Sequence, residues 1–238
     1  MSAMLSVRDL DVFIQASHIL RRVSLEVGER EVVCLVGRNG AGKTTTLRSI
    51  MGYLRPRAGS IAFRGVAIQG RRTFEIALLG LGFAPEDSAI FPDLTVAENI
   101  EIATWTRTDG RPAAERIERA YQVFPVLRHY MARKGPQMSG GERKMLSIAR
   151  ALALDPDMLL LDEPFEGLSP AIIPAVSEGI AEITKLGHSI LMAESNIHHV
   201  PEFATRLYVI ERGEIIFAGR PDAVHADPAV LRVIGGTP

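Results

Sequence analysis

Apolar residues along the first part of the chain recur at intervals of two. Leu5, Val7, Leu10 and Val12 form a broken series, and Val23, Leu25 and Val27 a clean one. Each predicts a strand with one buried face. The run Val32-Val33-Cys34-Leu35-Val36 is apolar throughout, as expected of a strand covered on both sides. Ser60–Phe63, the turn Arg64-Gly65 and Val66–Ile68 read as a further hairpin. These opening strands are expected to be antiparallel. Arg71–Leu79 predicts a short helix, and Leu81–Ala84 a buried strand ending at Pro85.

From Ser88 to about Gln137 the spacing becomes helical. Thr95 followed by Glu98 three residues later is a capping box, which starts a helix over about Val96–Trp105. Asp109-Gly110-Arg111-Pro112 breaks it, and a second helix covers roughly Ala113–Phe124. Ser139 opens a long helix to about Leu154, stopped by Asp155-Pro156. Met158–Leu161 is apolar and too short for a helix, so it predicts a central parallel strand. Strand and helix then alternate. A helix over Ala171–Leu186 precedes a strand over Ser189–Ala193 and a short helix over Ile197–Phe203. A hairpin of Leu207–Ile210 and Ile215–Ala218 turns at Arg212-Gly213, and Asp227-Pro228 starts a last helix. No repeat, low-complexity tract or heptad interrupts this α/β pattern.

The chain has 238 residues, 47% of them hydrophobic and 23% charged, enough for one large domain or a core with a subdomain. Its formal charge of −1 gives no bulk attraction to nucleic acid, and its short basic pairs read as solvated faces. The single cysteine, Cys34, falls inside an expected buried strand and reads as a small core residue. No apolar run approaches the roughly 20 residues needed to span a bilayer. Arg8, Asp9 and Asp11 stand where a signal peptide would need its apolar stretch. The expectation is a cytoplasmic chain that reaches a membrane only through a partner.

The candidate chemistry starts after the apolar run at Val32–Val36. Gly37-Arg38-Asn39-Gly40-Ala41-Gly42-Lys43-Thr44-Thr45 reads G-x-x-x-x-G-K-[ST] between a strand and a helix. Glycines let successive N–H groups close around phosphates, and the helix start near Gly42 adds its positive dipole end. Lys43 would reach the terminal phosphates and the Thr44 hydroxyl would ligate Mg²⁺, so the loop predicts nucleoside triphosphate binding. A plain glycine-rich turn is the alternative. Asp162-Glu163-Pro164 follows the central apolar strand, where a carboxylate can hold Mg²⁺ and the next can polarise an attacking water. Met138-Ser139-Gly140-Gly141-Glu142 lies upstream at a helix start, where Ser-Gly-Gly is either a simple N-cap or a second anion site.

Met138–Lys144 resembles the ATP-binding-cassette (ABC) signature, and with the phosphate loop and Asp162-Glu163 it stands in that family's order. Ser17–Arg21, Pro85–Asp87, Ile90–Asn99 and Gly167–Pro170 look like the ATPases of branched-chain amino-acid importers, the smaller of the two above all. The urea-importer ATPase is a near relative. The resemblance spans the chain and implies a RecA-like P-loop core with an antiparallel β-subdomain over 1–87 and 155–238. A helical signature subdomain is implied over 88–154. It also implies ATP and Mg²⁺ as cofactors, two membrane-spanning permeases, a second ABC ATPase in a head-to-tail dimer and an extracytoplasmic solute-binding protein. The chain would then sit peripherally on the cytoplasmic face of the membrane. In such a dimer Ser139, Gly140 and Gly141 face the γ-phosphate held by the partner.

Four positions depart from the family pattern. Ile14 stands where a tyrosine usually stacks on adenine, which leaves Phe13 as the candidate ring or as ordinary packing. Glu86 replaces a glutamine, and its carboxylate can still meet Mg²⁺. Ser195 occupies the place of the switch histidine, with His198 and His199 downstream read as surface residues. Ser169 stands where other cassettes have Asp. The expected catalytic set is therefore Glu163, Glu86 and Ser195, with Thr44, Glu86 and Asp162 toward the metal. A soluble non-transport cassette ATPase, and a degenerate cassette whose partner hydrolyses, are the other readings. A kinase that shares only the phosphate loop lacks Ser-Gly-Gly and Asp-Glu-Pro.

Overall fold

The computed structural model describes residues 3–107, 110–226 and 228–234. In chain order the elements are β1 (Leu5–Ile14), β2 (Ser17–Val27), β3 (Val32–Val36), α1 (Lys43–Ile50), β4 (Ala58–Phe63), β5 (Val66–Ala67) and α2 (Thr73–Leu78). Then come β6 (Leu81–Ala84), α3 (Val96–Thr104), α4 (Ala113–Val123), α5 (Gly140–Ala153), β7 (Met158–Asp162) and α6 (Ile173–Lys185). The chain closes with β8 (Ser189–Glu194), β9 (Arg206–Glu211), β10 (Glu214–Gly219) and α7 (Pro228–Ile234). Short 3₁₀ turns fill several connections. Asp109 in the expected helix break and Asp227 before α7 lie outside the described residues.

The chain divides into two compact units, 1–76 with 189–238, and 77–188. In the first unit the opening strands are antiparallel, as their alternation predicts: β1 pairs with β2 and β4, and β4 with β5. The break coincides with a register shift in both pairings, between Val7 and Leu10 against β2 and between Arg8 and Asp11 against β4, with Asp9 at φ 46°. The extra residue lets Leu5, Val7, Leu10 and Val12 all be buried despite the broken spacing. β3 is buried throughout and pairs in parallel with β8 on one side and β9 on the other. β10 returns antiparallel to β9 through Arg212-Gly213, whose φ values of 48° and 82° suit a two-residue hairpin turn. The Tyr208 hydroxyl of β9 accepts from the Glu26 N–H of β2 at 3.1 Å, which ties the antiparallel strands to the parallel set. Cys34 is a free, buried core thiol.

The second unit holds the parallel pair β6 and β7 with the helices α3 to α6. α3 starts as its capping box predicts: the Glu98 N–H donates to Thr95 Oγ1, and the Thr95 N–H to Glu98 Oε2. Asn99 on its buried face binds both polar groups of Phe91 and so shapes the loop before the helix. α5 buries Met145, Leu146, Ile148, Ala149 and Leu152. β7 is fully buried, in keeping with its unbroken apolar run.

One expected element is corrected. The helix over Ile197–Phe203 is only a 3₁₀ turn at Ile197–His199. Pro201 disfavours helical geometry at Val200, which is extended at φ −70° and ψ 116°.

Candidate active site

In the first unit β3 delivers the chain to Gly37, whose N–H donates to the Glu194 carbonyl at 3.2 Å. A Cβ at Gly37 would lie 2.3 Å from the Ile210 carbonyl oxygen, so a side chain there would displace the loop from β9. Gly42 caps α1 at φ 116°, and a Cβ on it would meet the Leu20 side chain at 2.7 Å. No side chain caps α1. Arg38, Asn39 and Gly40 are exposed, Ala41 is buried, and Thr44 and Thr45 are half-buried. The Lys43 ammonium is only 3% exposed and donates to the Gly37 and Arg38 carbonyls at 2.7 and 3.2 Å. These two bonds draw the ammonium across its own loop, and a charge-assisted bond to an anionic phosphate is stronger than one to a neutral carbonyl. A support that sequence reading missed is Gly213, whose N–H donates to the Ala41 carbonyl at 2.9 Å. Only the turn signal Arg212-Gly213 pointed there.

The β1–β2 hairpin carries Phe13, stacked on the His18 ring at 4.1 Å and 7°, with the Arg57 guanidinium 5.0 Å from the Phe13 centroid. His18 Nε2 lies 2.7 Å from Asp11 Oδ1. Phe13 is therefore packed within the hairpin, while Ile14 is 43% exposed. Ser195 is half-buried after β8 and borders a cavity of about 410 Å³ with Arg38, Asn39, Val233 and Ile234. The structure thus puts Ser195 beside the phosphate loop. It also corrects the reading of His199 as a surface residue: its Nδ1 is 3.1 Å from Glu194 Oε2, whose side chain is 0% exposed. His198 is exposed.

In the second unit Asp162 ends β7 and is 2% exposed, and Glu163 is 4% exposed. Glu163 stands at φ 47°, a left-handed conformation that costs a non-glycine residue about 1–3 kcal/mol and concentrates at functional sites. Glu86 is exposed, and its carbonyl accepts from Lys144 Nζ at 2.7 Å. Ser139 caps α5 by a full capping box: the Glu142 N–H donates to Ser139 Oγ at 3.3 Å, and the Ser139 N–H to Glu142 Oε2 at 2.7 Å. Ser139 and Gly140 are exposed, and nothing lies within 4 Å of where a Gly140 Cβ would stand. Gly141 is buried, packed close to Ile172.

Among the described residues no three His, Cys, Asp or Glu side chains cluster as a metal cage. Mg²⁺ in nucleotide sites relies on one or two carboxylates, water and substrate phosphates. The hard oxygen donors of Thr44, Glu86 and Asp162 have the right chemistry for that role.

Comparison with known proteins agrees with these motifs. The family model described as "ABC transporter" matches residues 20–166, more than half of the chain. The lipopolysaccharide export system ATP-binding protein LptB of Acidithiobacillus ferridurans is 34% identical, over 99% of this chain and 98% of that protein. The high-affinity branched-chain amino acid transport ATP-binding protein BraG of Pseudomonas aeruginosa is also 34% identical, over 95% and 97%. The crystal structure of the ADP conformation of an ATP-binding cassette of an ABC transporter superposes with a TM-score of 0.84. It is 25% identical and covers 100% of both chains. Among the described residues no helix is long and apolar enough to cross a membrane. The chain belongs to the ABC transporter family, as an ATP-binding subunit and an ATPase coupled to transport.

Proposed function

We propose that this subunit energises an importer for branched-chain or related amino acids. The observation that carries the reading is the near full-length likeness to BraG, together with the segments at Pro85–Asp87, Ile90–Asn99 and Gly167–Pro170. Its phosphate loop, Gly37 to Thr45, would wrap the triphosphate, with Lys43 transferring its bonds from the Gly37 and Arg38 carbonyls to phosphate oxygens. Thr44 and Asp162 would hold Mg²⁺, with Glu86 near it, and the ion would neutralise phosphate charge when bound. Glu163 would take the proton of the attacking water. Ser139, Gly140 and Gly141 would complete the site of a second ABC ATPase. The helical subdomain proposed over 88–154 would receive a permease at Phe91, which is 46% exposed beneath the Arg150 guanidinium. Two permeases and an extracytoplasmic solute-binding protein complete the assembly, which places the chain on the cytoplasmic face.

The equal likeness to LptB supports a second reading, in which the same machinery drives lipopolysaccharide export. Co-expression with candidate permeases of each class separates the two. Cysteine cross-linking from position 91 should capture a permease, and vesicles should accumulate leucine, isoleucine or valine with ATP. Cross-linking without uptake, or ATP-dependent release of lipopolysaccharide, would replace the importer reading.

A further inference from the structure

We propose that His199 is a positioning residue that acts through Glu194 to fix both the switch residue Ser195 and the first residue of the phosphate loop. The inference rests on the reading of this chain's own site as one that hydrolyses ATP. Glu194 is the hub. Its main chain pairs with Val36 in the β3–β8 register, and its carbonyl accepts from the Gly37 N–H at 3.2 Å. Its side chain is fully buried, and His199 Nδ1 lies 3.1 Å from Oε2. Ser195 is the next residue and borders the cavity shared with Arg38 and Asn39.

The physical requirement is simple. A buried carboxylate is costly unless it is paired and hydrogen-bonded. At 3.1 Å the carboxylate oxygen and the facing imidazole nitrogen form one hydrogen bond, whichever of the two carries the proton. The five-residue return from Glu194 to His199 is built for this contact. Asn196 Oδ1 accepts from the His198 N–H at 2.9 Å, and the His199 N–H donates to the Asn196 carbonyl at 3.1 Å. The resulting 3₁₀ turn at Ile197–His199 brings the imidazole back over the carboxylate. Ser195 is thereby enclosed in a short loop closed at both ends. Serine is shorter than histidine, so a switch residue of this kind depends on where its backbone is held.

The test uses the full chain with His199→Ala and His199→Asn, since the asparagine amide can take the place of Nδ1. Amide hydrogen exchange at Gly37 is followed without nucleotide, steady-state ATP hydrolysis is followed with it, and a melting curve reports the fold. His199→Ala should speed exchange at Gly37 about tenfold, as expected when a buried polar group loses its hydrogen-bond partner. It should lower kcat about tenfold or more, with a smaller change in KM. His199→Asn should restore most of both. Unchanged exchange in the alanine variant, or equal losses in the two variants, overturns the inference. If exchange responds to position 199 but the wild-type chain neither binds nor hydrolyses MgATP, the positioning contact stands and the reading of this site as hydrolytic falls.

Discussion

The two glycine-rich helix starts solve the same local problem in opposite ways. α1 begins at Gly42 with no capping side chain and no acidic residue in its first turn. α5 begins at Ser139 with a complete capping box and Glu142 in its first turn. Every helix start exposes N–H groups that require acceptors. α5 satisfies part of that need from its own sequence and leaves Gly140 open. α1 is built without such a cap, and the nearby cation, Lys43, rests on backbone carbonyls. On the proposed function, the acceptor at this helix start is the phosphate of a bound nucleotide. The Ser139 turn is organised to stand by itself and offer what remains.

The largest effect that could break this contrast is at Lys43. Lys43→Ala should weaken MgATP by at least about a hundredfold, because it removes the charge meant for the phosphates. Without nucleotide the melting temperature should drop only a few degrees, since the bonds to the Gly37 and Arg38 carbonyls are each worth about 0.5–3 kcal/mol. Calorimetric titration and a melting curve measure both. Unchanged affinity would mean that the loop is a structural turn and that the contrast with α5 has no functional content.

Glu163→Gln sharpens the comparison from the chemical side. Glutamine keeps the length of the side chain and should tolerate φ 47° no worse, but it cannot take a proton. Turnover in the assembled transporter should fall about 10²–10⁴-fold with ATP binding retained. An ATP-bound dimer should then persist on size exclusion. Turnover near wild type would show that another group activates the water.

What could be read from the sequence follows from how local each feature is. The loop at Gly37–Thr45, the caps at Thr95 and Ser139, and the apolar run ending at Asp162 are each specified by neighbours within a few positions. They appear in the structure where their spacing puts them. The start of β2 at Ser17 was not legible, because Ser17 and His18 offer no apolar alternation and are held by cross-strand pairing with Ile14 and Phe13. The support of Ala41 by Gly213 joins residues far apart in sequence. His199 was missed for a related reason: an expected α-helix would have pointed it elsewhere, and Pro201 limits the segment to one 3₁₀ turn. The packing of Phe13 against His18 and Arg57 likewise depends on hairpin register, which a pattern of residue types does not specify.

The smallest predicted effects are at Ser139, and there two substitutions separate capping from ligand binding. Ser139→Ala removes the acceptor for the Glu142 N–H and should cost about 1 kcal/mol, or roughly 2–4 °C in melting temperature. Ser139→Asp preserves a good cap, and its charge suits the positive helix end, so the melting temperature should stay near wild type. Its carboxylate would nevertheless occupy the open side of Gly140, where a partner's phosphate is proposed to bind. ATP hydrolysis by the assembled pair should therefore fall at least about tenfold in Ser139→Asp, from like-charge repulsion. The two variants should rank oppositely, alanine lower in stability and aspartate lower in activity. If Ser139→Asp hydrolyses ATP like wild type, the exposed glycine at α5 faces no phosphate, and the self-capped helix start is a folding device alone.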